Sequence, residues 1–367
     1  MELNQKKSQM SRRDFVVKGS MAGIVGSVIP MNDLKGKERP SNFKLSQSTK
    51  SLMDLLKITC PIVQAPAGGV VTPELTAAVS SAGALGGLPL TWTASEGLPA
   101  RIGGVTEKTD RPFFANYVMD MRPATLSQAL QLGVPVIQFS WGMPTKEEAK
   151  LVLSKGILGI QVTSEASAKQ ALNLGAQYLV CQGMEAGGHV QASRLLSESL
   201  ERVLSVAGDV PVVASGGIAT GSAMRTYLDA GAAGVVMGSR FVASKESGAH
   251  EDYKKELLKA SAEDTVYTVC NNRDWPNAMH RIIRNSTFEM WEAAGCPPEG
   301  SRPGEDDICA ISEYSEVKRY GVQTPHVGYK GNIEAMALYA GKGVGEINTI
   351  RSASSIVETI WAECQTI

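Results

Sequence analysis

The chain alternates short apolar runs with segments that carry helix signals, and this alternation restricts its possible folds more than any other feature. The runs are apolar at consecutive positions, as expected of parallel strands that are covered on both faces. Helix signals separate them: Thr72, Pro73 and Glu74 supply an N-cap, an N1 proline and an early acid. We predict eight strands, at residues 59–65, 84–88, 112–118, 134–139, 157–162, 177–181, 210–214 and 233–237.

Eight strand–helix units in one chain predict a (β/α)8 TIM barrel. The 367 residues, 43% of them hydrophobic, are enough for one large barrel with additions. A doubly wound open sheet is the alternative, but no G-x-G-x-x-G follows the first predicted strand, which disfavours it. We interpret residues 341–345 (Gly-Lys-Gly-Val-Gly) as a loop, because no buried strand precedes them.

The N-terminus carries a separate signal. Residues 11–18 (Ser-Arg-Arg-Asp-Phe-Val-Val-Lys) precede a glycine-rich, mildly apolar run at 19–29, and together they resemble a twin-arginine export signal. We therefore expect an export signal at 1–31, a linker at 32–51 and a barrel domain at 52–367. The twin-arginine translocase would then be a transient partner and the protein periplasmic or otherwise exported; without the signal it would be cytoplasmic.

Charge and composition exclude several functions. The net charge of -1 and the lack of a long basic run argue against nucleic acid as a partner and favour small molecules. No apolar stretch approaches the roughly 20 residues that span a bilayer, so no stable membrane insertion is expected. The six cysteines include no C-x-x-C pair, and no metal site is expected. Cys270, Cys296 and Cys309 could pair in an oxidising compartment, although free thiols are favoured.

In a (β/α)8 barrel the functional residues gather at the C-terminal ends of the strands. Glycines after the last two strands leave backbone N–H groups free for a phosphate, and Ser239 adds a hydroxyl. Side-chain amides can hydrogen-bond a heteroaromatic edge without adding charge. Such a site suits FMN, although each glycine alone is equally explained by a tight turn. The predicted strand ends carry amides and glycines: Asn116, Gln138, Gln182, Gly216, Gly217, Gly238 and Ser239.

One strand end also carries a histidine. Residues 182–189 (Gln-Gly-Met-Glu-Ala-Gly-Gly-His) follow an apolar run, and their adjacent glycines allow backbone to approach a ligand. His189 is the candidate catalytic residue, because a neutral imidazole can act as a general base. Glu185 either orients that imidazole, caps a helix or pairs with a basic residue. The remaining histidines, His250, His280 and His326, are interpreted as surface or packing residues.

Four segments resemble the nitronate monooxygenase (2-nitropropane dioxygenase-like) flavoproteins. They are residues 61–66 (Pro-Ile-Val-Gln-Ala-Pro), 182–189, 214–219 (Ala-Ser-Gly-Gly-Ile-Ala) and 237–241 (Met-Gly-Ser-Arg-Phe). The resemblance extends from about residue 52 to the C-terminus. FMN-dependent enoyl-ACP reductases and NADH:quinone reductases of the same fold share the histidine segment, so it specifies fold and cofactor better than substrate.

The resemblance implies an FMN-dependent enzyme that oxidises nitronates or nitroalkanes with O2 to carbonyl compounds and nitrite. His189 would be its base. An NAD(P)H-dependent FMN reductase acting on a quinone or an enoyl thioester is one alternative, and a flavin-binding protein without turnover is another. The implied FMN contacts are Asn116, Gln182, Gly187, Gly217, Met237, Gly238, Ser239 and Arg240.

The chain departs from the family pattern at two places. Ala67 stands where a methionine is common, next to the expected flavin. Val190 and Gln191 follow the histidine where small or basic residues are expected. Residues 242–313, which include Trp275 and Trp291, resemble an additional, largely helical segment that closes over such barrels.

Overall fold

A computed structural model describes residues 43–122 and 124–367. The predicted export signal at 1–31 and most of the predicted linker lie outside the described residues. The helices are α1 Gln47–Leu56, α2 Pro73–Ser81, α3 Leu98–Thr106, α4 Leu126–Gln131, α5 Lys146–Leu153, α6 Glu165–Asn173, α7 Leu196–Ala207, α8 Gly221–Asp229, α9 Ser239–Val242, α10 Glu251–Lys259, α11 Ser286–Ala293 and α12 Ala353–Thr366.

Three 3-10 turns accompany these helices, at Met119–Met121, Ile333–Ala335 and Lys342–Glu346. The last of them occupies the segment that we interpreted as a loop. The strands are β1 Ile62–Gln64, β2 Gly86–Pro89, β3 Phe113–Val118, β4 Val136–Ser140, β5 Ile157–Val162, β6 Tyr178–Gln182, β7 Gly188–His189, β8 Val212–Ser215, β9 Gly234–Met237, β10 Thr265–Thr268, β11 His280–Ile283, β12 Ile308–Ile311, β13 Glu316–Lys318 and β14 Lys330–Gly331.

Eight parallel strands form the barrel, in the order β1-β9-β8-β6-β5-β4-β3-β2. The first and last strands of this order, β1 and β2, meet at Leu85, just before β2. The Gln64 N–H donates to the Leu85 carbonyl at 2.9 Å, and the Leu85 N–H donates to the Ile62 carbonyl at 2.9 Å. The sheet is therefore a nearly closed barrel, and the (β/α)8 prediction is confirmed. All eight predicted strands are present, with ends shifted by a few residues.

Alternation along the strands produces two hydrophobic layers. Val63 and Phe114 pack inside the barrel, together with Leu52 and Leu56 of α1, which close one end. The neighbouring strand residues Ile62 and Ala115 face the surrounding helices instead, because successive side chains of a strand point to opposite faces. Both faces are thus buried, which explains the consecutive apolar runs in the sequence.

The segment 242–313 is mixed rather than largely helical. It contains α10 and α11, but also β10, β11 and β12. Its strand residues 265–268 (Thr-Val-Tyr-Thr) are β-branched and aromatic, a composition that favours strands. β11 pairs antiparallel with β7, so this segment is bonded directly to the loop that carries His189. None of the helices in the described part of the chain is long and apolar enough to span a membrane.

Candidate functional site

A cavity of about 610 Å³ opens at the C-terminal ends of the barrel strands. Its size lies within the range of small-molecule sites, roughly 300–1,000 Å³. Most of the residues predicted from strand ends line this cavity together: Asn116, Gln138, Gln182, Gly187, His189, Gly216, Gly217, Gly238 and Ser239. The barrel topology therefore assembles them from six different strand ends and loops, as expected from the parallel arrangement.

Two of the predicted cofactor contacts do not line the cavity. Met237 is fully buried and packs in the core between strands and helices. Arg240 is also buried, and its guanidinium donates to the carbonyl oxygens of Ala243 at 2.8 Å and Thr349 at 2.5 Å. Burial lowers the Arg240 pKa to about 10. Met237 faces the helix layer, as strand alternation places it, and Arg240 is turned toward the Ala243 and Thr349 carbonyls by the short helix α9, so both side chains lie behind the cavity wall.

A buried network of polar side chains forms the inner wall of the cavity. The Asn116 amide donates to the Ser140 hydroxyl at 3.1 Å, and the Gln138 amide donates to the Asn116 carbonyl oxygen at 3.3 Å. Tyr178 donates its hydroxyl hydrogen to Gln138 at 3.2 Å. Asn116 and Gln138 are direct partners in the β3–β4 register. The network satisfies buried amides and fixes their orientation without a net charge.

A second amide network holds the loop around His189. The Gln182 amide donates to the His189 carbonyl at 3.3 Å, and its oxygen accepts from the Gln191 N–H at 2.9 Å. Gln191 in turn accepts from the Trp141 N–H at 3.0 Å. That contact supports Trp141 at a φ of 55°, a left-handed conformation that is rare for a bulky residue. Gln191, a departure from the family pattern, thus joins three parts of the site.

Three glycine segments meet at one end of the cavity. Gly217 has a φ of 68°, which favours glycine. A Cβ atom at Gly343 would lie 2.5 Å from the Gly217 carbonyl oxygen, so backbone there packs directly on backbone. The Gly341 N–H donates to the Ser239 hydroxyl oxygen at 3.0 Å. Sequence analysis missed Gly341 and Gly343, because no strand precedes them and only the folded chain brings them to Gly217.

Glu185 caps a helix, which was one of its three predicted roles. Its two carboxylate oxygens lie 3.1 and 2.9 Å from the backbone nitrogen of Leu196, the first residue of α7. A carboxylate at this position satisfies an otherwise unpaired N–H and interacts favourably with the helix dipole. Glu185 therefore fixes the start of α7 relative to the loop that leads to His189.

His189 lies in an aromatic environment beside the cavity. Its ring centroid is 4.3 Å from that of Trp275, 5.4 Å from Tyr339 and 6.0 Å from Trp141. The Nε2 atom is buried and has no hydrogen-bond partner among the described residues. Burial, and secondarily the neighbouring His280, lower the His189 pKa to about 3. The imidazole is therefore neutral at physiological pH, as a proton acceptor must be.

His280 is fully buried and packs against His189 without lining the cavity, which is one of the two roles predicted for it. It lies directly opposite His189 in the β7–β11 register, with ring centroids 5.5 Å apart. The Asn271 N–H donates to His280 Nε2 at 3.1 Å, so Nδ1 carries the proton and donates to the Ala278 carbonyl at 2.9 Å. Burial lowers its pKa to about 4. No local sequence signal indicates this pairing, which depends on the β7–β11 contact.

The neutral state of His280 predicts a pH-dependent stability. Its pKa is about 4 in the folded protein and about 6.5 in an unfolded chain. Between these values only the unfolded chain takes up the proton, so the free energy of unfolding should fall as the pH drops from about 6.5 toward 4. His280→Gln should reduce that slope, as measured by urea denaturation at about pH 7, 6 and 5. An unchanged slope would contradict the assignment.

The fold and the cavity together define a (β/α)8 barrel with a small-molecule site at the C-terminal ends of its strands. A family model for nitronate monooxygenase matches residues 49–129 and 122–363. The chain therefore belongs to the nitronate monooxygenase family.

Individual relatives agree with this assignment. Nitronate monooxygenase of Pseudomonas aeruginosa is 29% identical over 337 residues, which cover 79% of this chain and 92% of the relative. The structure of a nitroalkane oxidase from Streptomyces ansochromogenes superimposes with a TM-score of 0.71 at 27% identity, covering 86% of this chain and 98% of that one. FabK from Thermotoga maritima gives a TM-score of 0.70 at 29% identity, covering 86% and 95%.

Proposed function

We propose that the protein is an FMN-dependent oxidoreductase that oxidises nitronates and nitroalkanes with O2 to carbonyl compounds and nitrite. The observation that carries the proposal is a buried imidazole, His189, whose Nε2 has no hydrogen-bond partner among the described residues, beside an amide-lined cavity at the mouth of the barrel. Family membership and the similarity to nitronate monooxygenase and nitroalkane oxidase support the same chemistry.

Family membership implies a bound flavin, and the residues of the cavity fit one. A Cβ atom would lie 2.9 Å from backbone atoms at Gly341 and 3.1 Å from the Glu185 Cβ at Gly217, so these segments are kept free of side chains and their backbone can approach a phosphate closely. The amides of Asn116 and Gln182 offer donors and acceptors to the edge of a heteroaromatic ring. We propose FMN because this glycine cradle provides for one terminal phosphate. Cofactor contacts would come from Asn116, Gln182, Gly187, Gly217, Gly238 and Ser239.

His189 would remove the α-proton of a nitroalkane. Its neutral state leaves a lone pair free to accept that proton, and the surrounding aromatic rings exclude water from one side of the imidazole. With a nitronate, which has already lost the proton, His189 would only orient the substrate. A bound flavin supplies the redox chemistry, by accepting electrons from the substrate and passing them to O2.

The alternative is an NAD(P)H-dependent reductase, which the structural similarity to FabK favours. Dinucleotides and coenzyme A carry several phosphates, which proteins often bind with Arg or Lys. None of the described residues that line the cavity is Lys or Arg, whereas Asp274 adds an acid. The glycine cradle can accept one phosphate, and the cavity offers no cationic side chain for more. This charge pattern favours a small nitro compound over a nucleotide as the electron donor.

Anaerobic reduction should separate the two functions. We expect the visible absorption of the bound flavin to bleach when the holoprotein is mixed with a nitroalkane or its nitronate, and nitrite to form when air is admitted. NADH and NADPH should bleach it much more slowly. Rapid bleaching by either pyridine nucleotide, with no response to nitronates, would instead establish the reductase. A flavin that responds to neither would indicate a binding protein without turnover.

We also propose that residues 1–31 direct export through the twin-arginine translocase. The support is the Arg12-Arg13 pair with its flanking Ser, Phe and Lys and the apolar run that follows. Replacing both arginines by lysine keeps the charge but removes the guanidinium geometry that a receptor can read. The double variant should therefore accumulate in the cytoplasm of a host with this pathway, as measured by cell fractionation. Equal recovery of both proteins from the periplasm would contradict the signal.

A further inference from the structure

Trp275 covers the imidazole of His189. The two ring centroids are 4.3 Å apart and the ring planes differ by 30°, so the indole packs against the histidine in a tilted arrangement. Trp141 packs beside both rings, with its centroid 4.7 Å from that of Trp275 and 6.0 Å from that of His189. Trp275 is only 7% exposed and lines the cavity. A large, rigid side chain thus occupies the space beside the proposed base.

The loop that carries Trp275 is closed at its base by one residue. His280 accepts a hydrogen bond from the Asn271 N–H at 3.1 Å and donates one to the Ala278 carbonyl at 2.9 Å. These partners stand at the two ends of the loop 271–278, so a single buried imidazole joins both ends. The base of the loop therefore has little freedom, and within the loop the Trp275 N–H donates to the Asn272 carbonyl at 3.2 Å, so His280 and the loop's own backbone together hold Trp275.

The tip of the Trp275 side chain is bound to the opposite rim of the cavity. Its indole Nε1 donates to the Asp120 carboxylate at 3.0 Å. Asp120 belongs to the 3-10 turn after β3, and its own N–H donates to the Trp141 carbonyl at 3.0 Å. Trp275 consequently bridges the segment 242–313 and the barrel. The bridge combines packing of the indole with Val118 and one hydrogen bond to an exposed carboxylate, and that bond can be removed without disturbing the core.

We infer that Trp275 is a specificity-determining residue, which limits the length of the substituent on the carbon atom that His189 deprotonates. Asp120 is the positioning residue that holds the indole in place. The identity of the substrate in this inference rests on the proposed function. The position of Trp275 beside His189 does not. A hydrophobic wall discriminates between substrates that differ by one methylene group by about tenfold or more. Removing the indole should therefore extend the range of substrates to longer chains.

The experiment compares four variants over a series of nitroalkanes from nitroethane to 1-nitrohexane. Trp275→Ala removes the wall, whereas Trp275→Phe keeps an aromatic ring but loses the bond to Asp120. Asp120→Ala removes the acceptor, and Asp120→Asn retains an oxygen that can accept the same bond. Trp291→Phe is the matched control, because it also removes an indole donor, to the Pro297 carbonyl, at a residue that does not line the cavity.

We expect the ratio of kcat/KM for 1-nitrohexane to that for nitroethane to rise by on the order of tenfold in Trp275→Ala, mainly through KM for the longer substrate. Asp120→Ala and Trp275→Phe should shift the ratio in the same direction by less. Asp120→Asn should restore the wild-type ratio, which general destabilisation would not do. Trp291→Phe should leave the ratio unchanged. A wild-type ratio in Trp275→Ala, or in both Trp275→Phe and Asp120→Ala if the alanine variant does not fold, would overturn the inference.

A binding measurement keeps this test independent of the reaction. Primary alkyl amides from propanamide to hexanamide are planar at the polar end, like nitro compounds, and are not oxidised. Calorimetric titration of the holoprotein should show tighter binding of the longer amides to Trp275→Ala than to the wild type. If the wild type releases no nitrite from any nitroalkane or nitronate, the proposed function fails, while the amide series still decides whether Trp275 limits chain length.

Discussion

Replacing His189 by asparagine is expected to lower the turnover of neutral nitroalkanes by about 10²–10⁴-fold, the usual contribution of a general base. Asparagine is polar and similar in size, so the fold and the bound flavin should be retained. The reason for the large effect is that His189 Nε2 is buried and has no hydrogen-bond partner among the described residues, whereas the other histidine that lines the cavity, His326, is partly exposed and accepts from the Gly328 N–H at 3.0 Å. Nitrite release from nitroethane, at a pH where the substrate is largely protonated, measures the loss.

The nitronate provides the internal control for this variant. Because a preformed nitronate has already lost its α-proton, its oxidation by His189→Asn should fall much less than that of the nitroalkane. His250→Asn is a matched control, since His250 caps α10 through its side chain and asparagine caps helices well. Equal losses on both substrates would assign His189 a binding role. Unchanged rates on both would remove it from the mechanism.

The barrel was predictable because its strands are buried on both faces. Residues 178–181 (Tyr-Leu-Val-Cys), for example, are apolar and buried at consecutive positions, and a parallel sheet covered on both sides explains such runs. Once the strand ends are known, topology alone places Asn116, Gln182 and Gly217 around one cavity. The apolar pattern of each strand agrees with its place in the barrel, and for that reason the sequence was sufficient to predict the fold.

The site was less predictable where residues distant in the sequence come into contact only in the folded chain. His280 reaches His189 across the β7–β11 pair, and Gly341 reaches Ser239 from the last third of the chain. Neither has a strand or helix signal that points to the cavity. The side chains of Met237 and Arg240 lie outside the cavity lining, because a segment carried over from a family does not specify which of its side chains face the ligand.

The strained Trp141 illustrates why such residues escape sequence analysis. A tryptophan at a φ of 55° is unfavourable by itself, and nothing in the local sequence predicts it. The conformation persists because Gln191 accepts from its N–H and Asp120 donates to its carbonyl. Both partners belong to other strand ends. The strain is therefore compensated by the assembled site, which also uses Trp141 and Trp275 to surround the base.

Introducing a carboxylate at Gly217 should abolish the retention of FMN. At an effective dielectric constant of about 20, two unit charges about 4 Å apart repel by about 4 kcal/mol, which corresponds to roughly a thousandfold loss of affinity. Gly217→Asp places its carboxylate in the glycine segment proposed to hold the phosphate. The purified variant should lack the yellow colour of the wild type, and FMN fluorescence quenching should show the weaker binding.

Gly217 also has a positive φ, and a Cβ atom there would lie 3.1 Å from the Glu185 Cβ, so strain must be separated from charge. Gly217→Ala adds the Cβ without the carboxylate. Gly133→Asp tests the aspartate alone, because Gly133 has a φ of 82° and a Cβ atom there would meet no other atom within 4 Å. Riboflavin, which lacks the phosphate, makes the decisive comparison. If charge is responsible, Gly217→Asp weakens FMN far more than riboflavin. Equal weakening of both would mean that Gly217 shapes the ring site, and that the phosphate lies elsewhere.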